Sequence, residues 1–157
     1  IEPFLIASTV HTVIGQRLVR RTSDQKESYQ SDKAETAAIQ ATLGALLPAT
    51  AAEQTKARED LGYDNLPLKA QNAYTLFKGV DAPETPGGYK GRMGLYEVFE
   101  ISEPIQDLIL KRSTSAEIQR AARAEGMVTM REDGYLKALT GQTTLAEVNR
   151  VAATDSA

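Results

Sequence analysis

Four arginines in two short segments are the residues of this sequence most suited to binding a charged ligand. Arg17, Arg20 and Arg21 lie in one segment and Arg92 in the other, and both segments have the composition of neighbouring strands. A guanidinium holds phosphate through a planar fork of N–H donors and can stabilise a polyphosphate across a boundary between subunits. The alternative is a solvated strand edge, in which these arginines form ion pairs with nearby glutamates.

No other pattern in the sequence has the spacing of a catalytic motif. A glycine-rich phosphate loop followed by Lys and Ser or Thr is absent, and so is a nucleophile elbow. The basic, glycine-rich segment 87–92 is not followed by a helix N-terminus, which favours a turn into a strand over a phosphate site. Glu132 and Asp133 are adjacent, so they do not face each other on a helix, and a role in the helix dipole is favoured over catalysis. The chain alone is therefore not expected to be an enzyme.

The composition excludes several classes of site and partner. The 157 residues include 18 Lys and Arg against 21 Asp and Glu, a net charge of −3, which gives no overall attraction to nucleic acid. Without cysteine the chain cannot form disulfides, iron–sulfur clusters or cysteine-ligated zinc. No apolar run approaches the roughly 20 residues needed to span a bilayer. The 41% of hydrophobic residues can instead supply a packed core.

Hydrophobic periodicity predicts helices at both ends of the chain, with strands between them. Apolar residues at steps of three and four predict a first helix from Pro3 that includes Val13 and Ile14. Strands are predicted at 16–22 and at 93–101, the second with alternate residues buried. The chain between them is expected to form alanine-rich helices, a short strand and a loop rich in Pro and Gly.

Capping residues predict a cluster of four short helices in the last third of the chain. Ser102 and Ser115 have the positions of N-caps, and Gly126 and Gly141 those of helix ends. The segment 144–147, Thr-Leu-Ala-Glu, has the spacing of a capping box. The predicted fold class is therefore α/β, mostly helical with a small antiparallel β element.

The start of the sequence is typical of a piece cut from a longer protein. It has no starting Met and lacks the basic region and cleavage site of a signal peptide. The first predicted helix begins almost at once. We therefore expect a truncated chain whose function belongs mostly to a missing part.

Four blocks of the sequence, in order along the chain, carry a family resemblance. They are EPFLIAS at 2–8, QRLVRR at 16–21, GYKGRMGLYEV at 88–98, and GMVTMREDG at 126–134 together with GQTTLAEV at 141–148. These blocks resemble the C-terminal part of the bacterial secretion ATPases of type IV pilus assembly and type II secretion, with near-family spacing at both ends of the chain. The resemblance is much weaker between 22 and 87.

This resemblance implies a piece of a RecA-like P-loop ATPase that works as a homo-hexameric ring in the cytoplasm, beneath the inner membrane. ATP hydrolysis, with Mg²⁺, then drives the extrusion of pilin subunits, and an inner-membrane platform protein is the implied partner. The family's phosphate loop, acidic catalytic segments and histidine box lie upstream of the position that matches Ile1. We expect the fragment itself to bind no cofactor and no nucleic acid.

The resemblance also divides the chain into four parts. Residues 1–21 are expected to form the last helix and strand of the RecA-like core, and residues 91–101 a returning core strand. Residues 22–90 correspond to an inserted subdomain, and residues 102–157 to a C-terminal helical cluster. An insertion of this length favours pilus assembly or secretion over the retraction ATPases, in which a short loop joins the two strands.

Assembly members of the family usually hold the inserted subdomain with zinc, bound by two Cys-x-x-Cys pairs. This sequence has no soft ligand at the matching positions, so zinc is not expected. An ion pair from Lys26 to Asp81 or Glu84 is one replacement, and a harder cation held by these two carboxylates with Asp24 and Glu27 is another. The four former ligand positions are Ser23, Lys26, Asp81 and Glu84.

The function expected from these observations is that of a C-terminal segment of a hexameric motor ATPase for type IV pilus assembly. Such a segment contributes subunit contacts and does not carry the phosphate loop. A segment of a type II secretion ATPase is the close alternative, and a stand-alone interaction module derived from such an ATPase is another. No catalytic residue is assigned; Arg17, Arg20, Arg21 and Arg92 are the candidates for contact with nucleotide or a neighbouring subunit.

Overall fold

Residues 1–152 are described by the computed structural model, and they form seven α-helices and four strands, which confirms the predicted α/β class. No helix in this part of the chain is long and apolar enough to cross a membrane. The helices are α1 (Pro3–Thr9), α2 (Lys33–Leu43), α3 (Ala51–Leu61), α4 (Glu103–Leu110), α5 (Ser115–Ala124), α6 (Met130–Leu139) and α7 (Leu145–Val151). The strands are β1 (Thr12–Thr22), β2 (Lys26–Gln30), β3 (Thr75–Gly79) and β4 (Tyr89–Glu100).

The first helix is shorter than the periodicity predicts. α1 ends at Thr9, and Val10 is already extended, with φ −88° and ψ 122°. Val13 and Ile14, predicted to continue the helix, lie in β1 instead. Their β-branched side chains favour extended backbone, and the pairing of β1 with β4 supplies hydrogen-bond partners for that backbone.

Between residues 1 and 152 the four strands form two separate two-stranded sheets. β1 pairs with β4, which confirms the two neighbouring strands predicted from sequence. The alternation predicted along β4 is also confirmed, since Leu95 is fully buried whereas Tyr96 and Val98 are exposed. β2 pairs antiparallel with β3, from Lys26 opposite Gly79 at one end to Gln30 opposite Thr75 at the other.

The capping residues located the later helices to within one residue. The side chains of Ser102 and Thr144 accept hydrogen bonds from backbone N–H groups in the first turns of α4 and α7, as predicted. The N-cap of α5 is Thr114 and not Ser115, because Thr114 forms a reciprocal capping box with Glu117.

One compact unit consists of Ile1–Gln16 and Tyr96–Met130. It contains α1, α4 and α5, and α4 contacts both of the other helices. Its core is an apolar cluster of Ile101, Ile105, Ala122 and Met127.

The other unit consists of Arg17–Leu95 and the chain from Arg131 onward. In its core Gly134 of α6 lies against the side chains of Val148 in α7 and Leu95 in β4. α7 and α6 from Arg131 onward belong to this unit. The four-part domain division implied by the resemblance stays a prediction.

Candidate functional site

Glu147, in the first turn of α7, is a buried carboxylate held by two arginines. Only 1% of its surface is exposed. Its Oε1 accepts hydrogen bonds from Arg20 Nη2 at 2.6 Å and from Arg150 Nε at 3.0 Å. Its Oε2 accepts from the backbone N–H of Arg20 at 2.9 Å and from Arg150 Nη2 at 2.8 Å. These four donors satisfy a charge whose burial would otherwise be strongly unfavourable.

The same donors keep Glu147 ionised. Its pKa is lowered to about 2, chiefly by the side-chain hydrogen bond from Arg150; burial opposes this shift, and the hydrogen bonds from Arg20 add to it. The hydrogen bond to Glu147 is in turn the main cause that raises the pKa of Arg20. A carboxylate that stays charged across neutral and mildly acid pH is suited to structural anchoring and not to proton transfer.

Arg20 also contacts the start of β4 and the turn between α6 and α7. Its guanidinium lies 4.2 Å from the centroid of the Tyr89 ring, a cation–π distance. The Tyr89 hydroxyl is hydrogen-bonded to Thr144 Oγ1 at 2.8 Å, and Thr143 Oγ1 donates to the Arg20 carbonyl at 2.9 Å. We call this set the Glu147 cluster: Arg20, Tyr89, Thr143, Thr144, Glu147 and Arg150.

The other three arginines singled out in the sequence lie outside this cluster. Arg21 is exposed and its Nη2 is 3.9 Å from Asp24 Oδ1. Arg17 and Arg92 are exposed, and within residues 1–152 neither forms an ion pair. The expected ion pairs with Glu97 or Glu100 are thus not what holds Arg20, whose carboxylate partner comes from α7.

A second polar group joins Tyr63, in the segment after α3, to α6. Lys137 Nζ lies 2.5 Å from Asp133 Oδ2 and donates to the Gly94 carbonyl at 3.0 Å. The Tyr63 hydroxyl donates to Asp133 Oδ1 at 3.4 Å. Burial, together with the Asp133 charge, raises the pKa of Tyr63 well above the usual value of a phenol. Asp133 is therefore engaged in a structural ion pair one helical turn long.

Two of the former zinc-ligand positions make contacts that point away from a shared centre. Ser23 is buried, and its Oγ donates to the Gln25 carbonyl at 2.7 Å. Lys26 Nζ donates to the Gly141 carbonyl at 2.9 Å and lies 5.8 Å from the Phe77 ring centroid. The expected ion pair of Lys26 with a carboxylate of the 81–84 turn is thus not formed, because the ammonium is directed to the end of α6.

The carboxylates near these positions also have separate partners. Asp81 Oδ1 accepts from the Gly87 backbone N–H at 2.8 Å, whereas Glu84 is exposed. Glu27 lies 3.9 Å from the Lys78 ammonium across the β2–β3 pair. Among residues 1–152 no three His, Cys, Asp or Glu side chains are grouped to hold a metal ion, so the alternative of a four-oxygen cation site is not formed there. The hydroxyl of Ser23, the ammonium of Lys26 and the carboxylates of Asp81 and Glu84 do not fit zinc either.

Sequence reasoning missed the roles of Glu147, Arg150, Tyr89 and Tyr63. Glu147 was assigned to a capping box, and its backbone N–H does bond to Thr144 Oγ1 at 3.2 Å. Its side chain, however, turns to Arg20. The spacing of three residues between Glu147 and Arg150 was the local signal for an ion pair.

Comparison with known proteins agrees with the resemblance read from the sequence. The family model described as "Type II/IV secretion system protein" matches residues 1–150. The chain belongs to this family.

Its relatives include proteins named for type IV pilus assembly and for type II secretion. It is 31% identical over 151 residues to the "Type IV pilus assembly ATPase PilB" of Pseudomonas aeruginosa, covering 96% of this chain and 22% of the relative. It is 35% identical over 149 residues to PilB of Thermus thermophilus, covering 94% and 14%. It is 35% identical over 153 residues to the "Type II secretion system protein E" of Pseudomonas aeruginosa, covering 96% and 25%. The chain therefore spans a quarter or less of the length of these relatives.

Proposed function

We propose that this chain is the C-terminal segment of a hexameric motor ATPase that powers type IV pilus assembly. The family match over residues 1–150, with relatives named as pilus assembly ATPases, is the observation that carries the proposal. The chain spans only 22% of the Pseudomonas relative and has no phosphate loop, which supports the proposal that ATP and Mg²⁺ are bound by parts of the intact protein outside this segment. The segment supplies contacts between subunits.

Two exposed arginines, Arg17 and Arg92, are the proposed contacts with nucleotide or a neighbouring subunit. Arg20 is engaged by Glu147, whereas Arg17 and Arg92 are exposed and form no ion pair within residues 1–152. We assign Arg17 and Arg92 to the boundary with nucleotide or a neighbouring subunit, where a guanidinium meets phosphate or carboxylate groups. In the intact protein the ring works in the cytoplasm against an inner-membrane platform protein.

An exposed apolar surface supports the view that this segment packs against more protein. In the unit formed by Ile1–Gln16 and Tyr96–Met130, the exposed fractions are 67% for Phe4, 50% for Leu5 and 64% for Ile14. Val98, in the part of β4 within the same unit, is 46% exposed. Large apolar side chains left open in this way typically mark protein interfaces. We assign their cover to the RecA-like core of the intact protein.

A type II secretion ATPase is the second candidate, since a relative named for that system is 35% identical over 153 residues. Deletion of the gene separates the two. Loss of surface pili with normal secretion supports pilus assembly, and retention of secreted proteins with normal pili supports type II secretion. The upstream gene sequence tests the third candidate, a stand-alone module. A phosphate loop encoded upstream in the same reading frame would exclude it, and a start codon near Ile1 would support it.

The proposal is tested by measuring ATP binding and hydrolysis by the 157-residue chain and by the full-length product of its gene. We expect both activities only in the longer protein. Hydrolysis by the 157-residue chain itself would place the chemistry in this segment and overturn the proposal.

A further inference from the structure

We propose that the end of the β2–β3 strand pair at which Lys26 lies opposite Gly79 is closed by a metal-free backbone clasp, formed by Ser23, Gly79 and Gly88 and fastened by Asp81. The resemblance places a zinc site at this point of the chain, and the side chains present do not fit zinc. Contacts within the chain close this end of the strand pair and contribute to stability, independently of the proposed motor function.

The clasp is a direct meeting of backbone segments. Gly79, at the end of β3, and Gly88, just before β4, approach so closely that a Cβ on either would overlap the carbonyl oxygen of the other. The backbone N–H of Ser23 donates to the Gly88 carbonyl at 2.9 Å, and Ser23 itself is buried. Residues with side chains cannot replace the two glycines without moving these segments apart.

The turn that follows β3 is closed by its own hydrogen bonds. Asp81 Oδ1 accepts from the Gly87 N–H at 2.8 Å, and Thr85 Oγ1 donates to the Val80 carbonyl at 2.9 Å. The Val80 N–H reaches across to the Gln25 carbonyl at 2.8 Å, which ties this turn to the one before β2. Hydrogen bonds within the chain therefore hold these two turns together, as a bound metal would otherwise do.

Lys26 adds a link from the β2–β3 strand pair to the end of α6. Its ammonium donates to the Gly141 carbonyl, near the negative end of the helix dipole, and lies 5.8 Å from the centroid of the Phe77 ring. Gly141 is itself packed against Phe77, where an added Cβ would lie 3.0 Å from a ring carbon. Lys26, which the resemblance matches to a zinc-ligand position, thus links β2 to the end of α6.

The clasp is tested by Gly88→Ala, with Gly91→Ala as the matched control. Both glycines have positive φ, +81° and +77°, so the backbone strain of an alanine is the same at each. A Cβ at Gly91 meets nothing within 4 Å, whereas one at Gly88 overlaps the Gly79 backbone. We expect Gly88→Ala to lower the Tm by roughly 4 °C or more beyond the control. Equal Tm values for the two variants overturn the proposal.

A second pair of variants covers the case in which Gly88→Ala does not fold. Asp81→Ala removes the acceptor of the Gly87 N–H, whereas Glu84→Ala changes an exposed carboxylate that has no hydrogen-bond or ion-pair partner within residues 1–152. We expect amide exchange at Gly87 to be several-fold faster in Asp81→Ala only. Equal exchange in both variants contradicts the fastening role of Asp81.

Independence from metal is tested on the same purified chain. Elemental analysis is expected to find no stoichiometric metal, and the Tm is expected to be unchanged by EDTA or by added ZnCl₂. A lower Tm in EDTA, or a bound equivalent of zinc, overturns the proposal. These readouts require no ATPase activity, so their outcome is separate from that of the motor function.

Discussion

The carboxylate of Glu147 lies 2.6 Å from the guanidinium of Arg20, although 127 positions separate the two residues in the chain. The same carboxylate accepts the backbone N–H of Arg20, so it holds the main chain of β1 as well as the side chain. β1 also carries the exposed Arg17, so the contact of Glu147 with Arg20 holds the strand that presents Arg17. Arg20, which the sequence suggested as a ligand contact, instead anchors β1 to α7.

Glu147→Gln is expected to reduce the dependence of stability on acid pH. The folded-state pKa of about 2 lies below the ordinary value of 4.5, so the stabilisation is present above pH 4.5 and is lost as the pH falls towards 2. At 1.36 kcal/mol per unit this contribution is on the order of 3 kcal/mol. Urea unfolding between pH 2 and 7 measures it, with Glu84→Gln as an exposed control. Parallel profiles for parent and Glu147→Gln contradict the assignment.

Arg20→Ala is expected to act through stability, whereas Arg17→Ala and Arg92→Ala are expected to act through assembly. Loss of Arg20 leaves Glu147 with Arg150 as its remaining charged partner, so we expect Arg20→Ala to have a lower Tm than the parent. Because Arg17 and Arg92 are exposed, we expect the Tm of Arg17→Ala and of Arg92→Ala to lie within about 1 °C of the parent.

In the longer protein, the same two variants are expected to depress hexamer formation or ATPase rate at normal stability. Size-exclusion chromatography and phosphate release measure these quantities. If Arg17→Ala and Arg92→Ala both match the parent, the two arginines belong to a solvated edge.

Tyr63→Phe is expected to remove a phenol whose pKa is raised. Burial is the main cause, and the neutral form is favoured in the folded chain, so the stabilisation is present at neutral pH and is lost as the pH rises above 10. In an ultraviolet titration, the variant is expected to lose the absorbance change of one phenol above pH 10. The unfolding free energy at pH 7 is expected to fall by about 1 kcal/mol with loss of the bond to Asp133.

Tyr29→Phe is the matched control, because the pKa of Tyr29 is raised to about 12 by burial and by its bond to Glu35. This variant removes the bond to Glu35 in α2 and leaves the bond of Tyr63 to Asp133 in place. If Tyr63→Phe left the titration above pH 10 unchanged, the link between Tyr63 and α6 would be refuted.

Gly134→Ala is expected to destabilise the chain although alanine favours helix. A Cβ at Gly134 lies 2.5 Å from Val148 Cγ1 and 3.1 Å from Leu95 Cδ1, and both neighbours are fully buried. Overpacking of this kind exceeds the roughly 1 kcal/mol gained from helix propensity, which leaves a net loss of about 1–2 kcal/mol. Gly15→Ala, whose Cβ meets its nearest atom at 3.6 Å, is the control in thermal unfolding. A stabilised Gly134→Ala would show that α6 and α7 are free to separate.

Local features of the chain could be predicted where they depend only on residues a few positions apart. The Ser102 and Thr144 caps depend on a side chain and a backbone N–H three residues away, so sequence alone locates them. The alternation in β4 was read correctly for the same reason. α1 was extended too far because helix and strand patterns overlap in a short apolar run, and the pairing of β1 with β4 settles the outcome.

From its residues alone the chain could be placed in its family and fold class, and the absence of cysteine already excluded thiolate zinc. Those properties follow from residue identity and short spacing. The anchoring of Arg20 by Glu147, the direction of the Lys26 ammonium and the meeting of Gly79 with Gly88 appeared only in the folded chain. The contacts of Arg20 with Glu147 and of Lys26 with Gly141 each join positions more than a hundred residues apart, and a charged residue carries no local signal of its distant partner. Glu147 is buried, and a buried charge must find its partner within the protein.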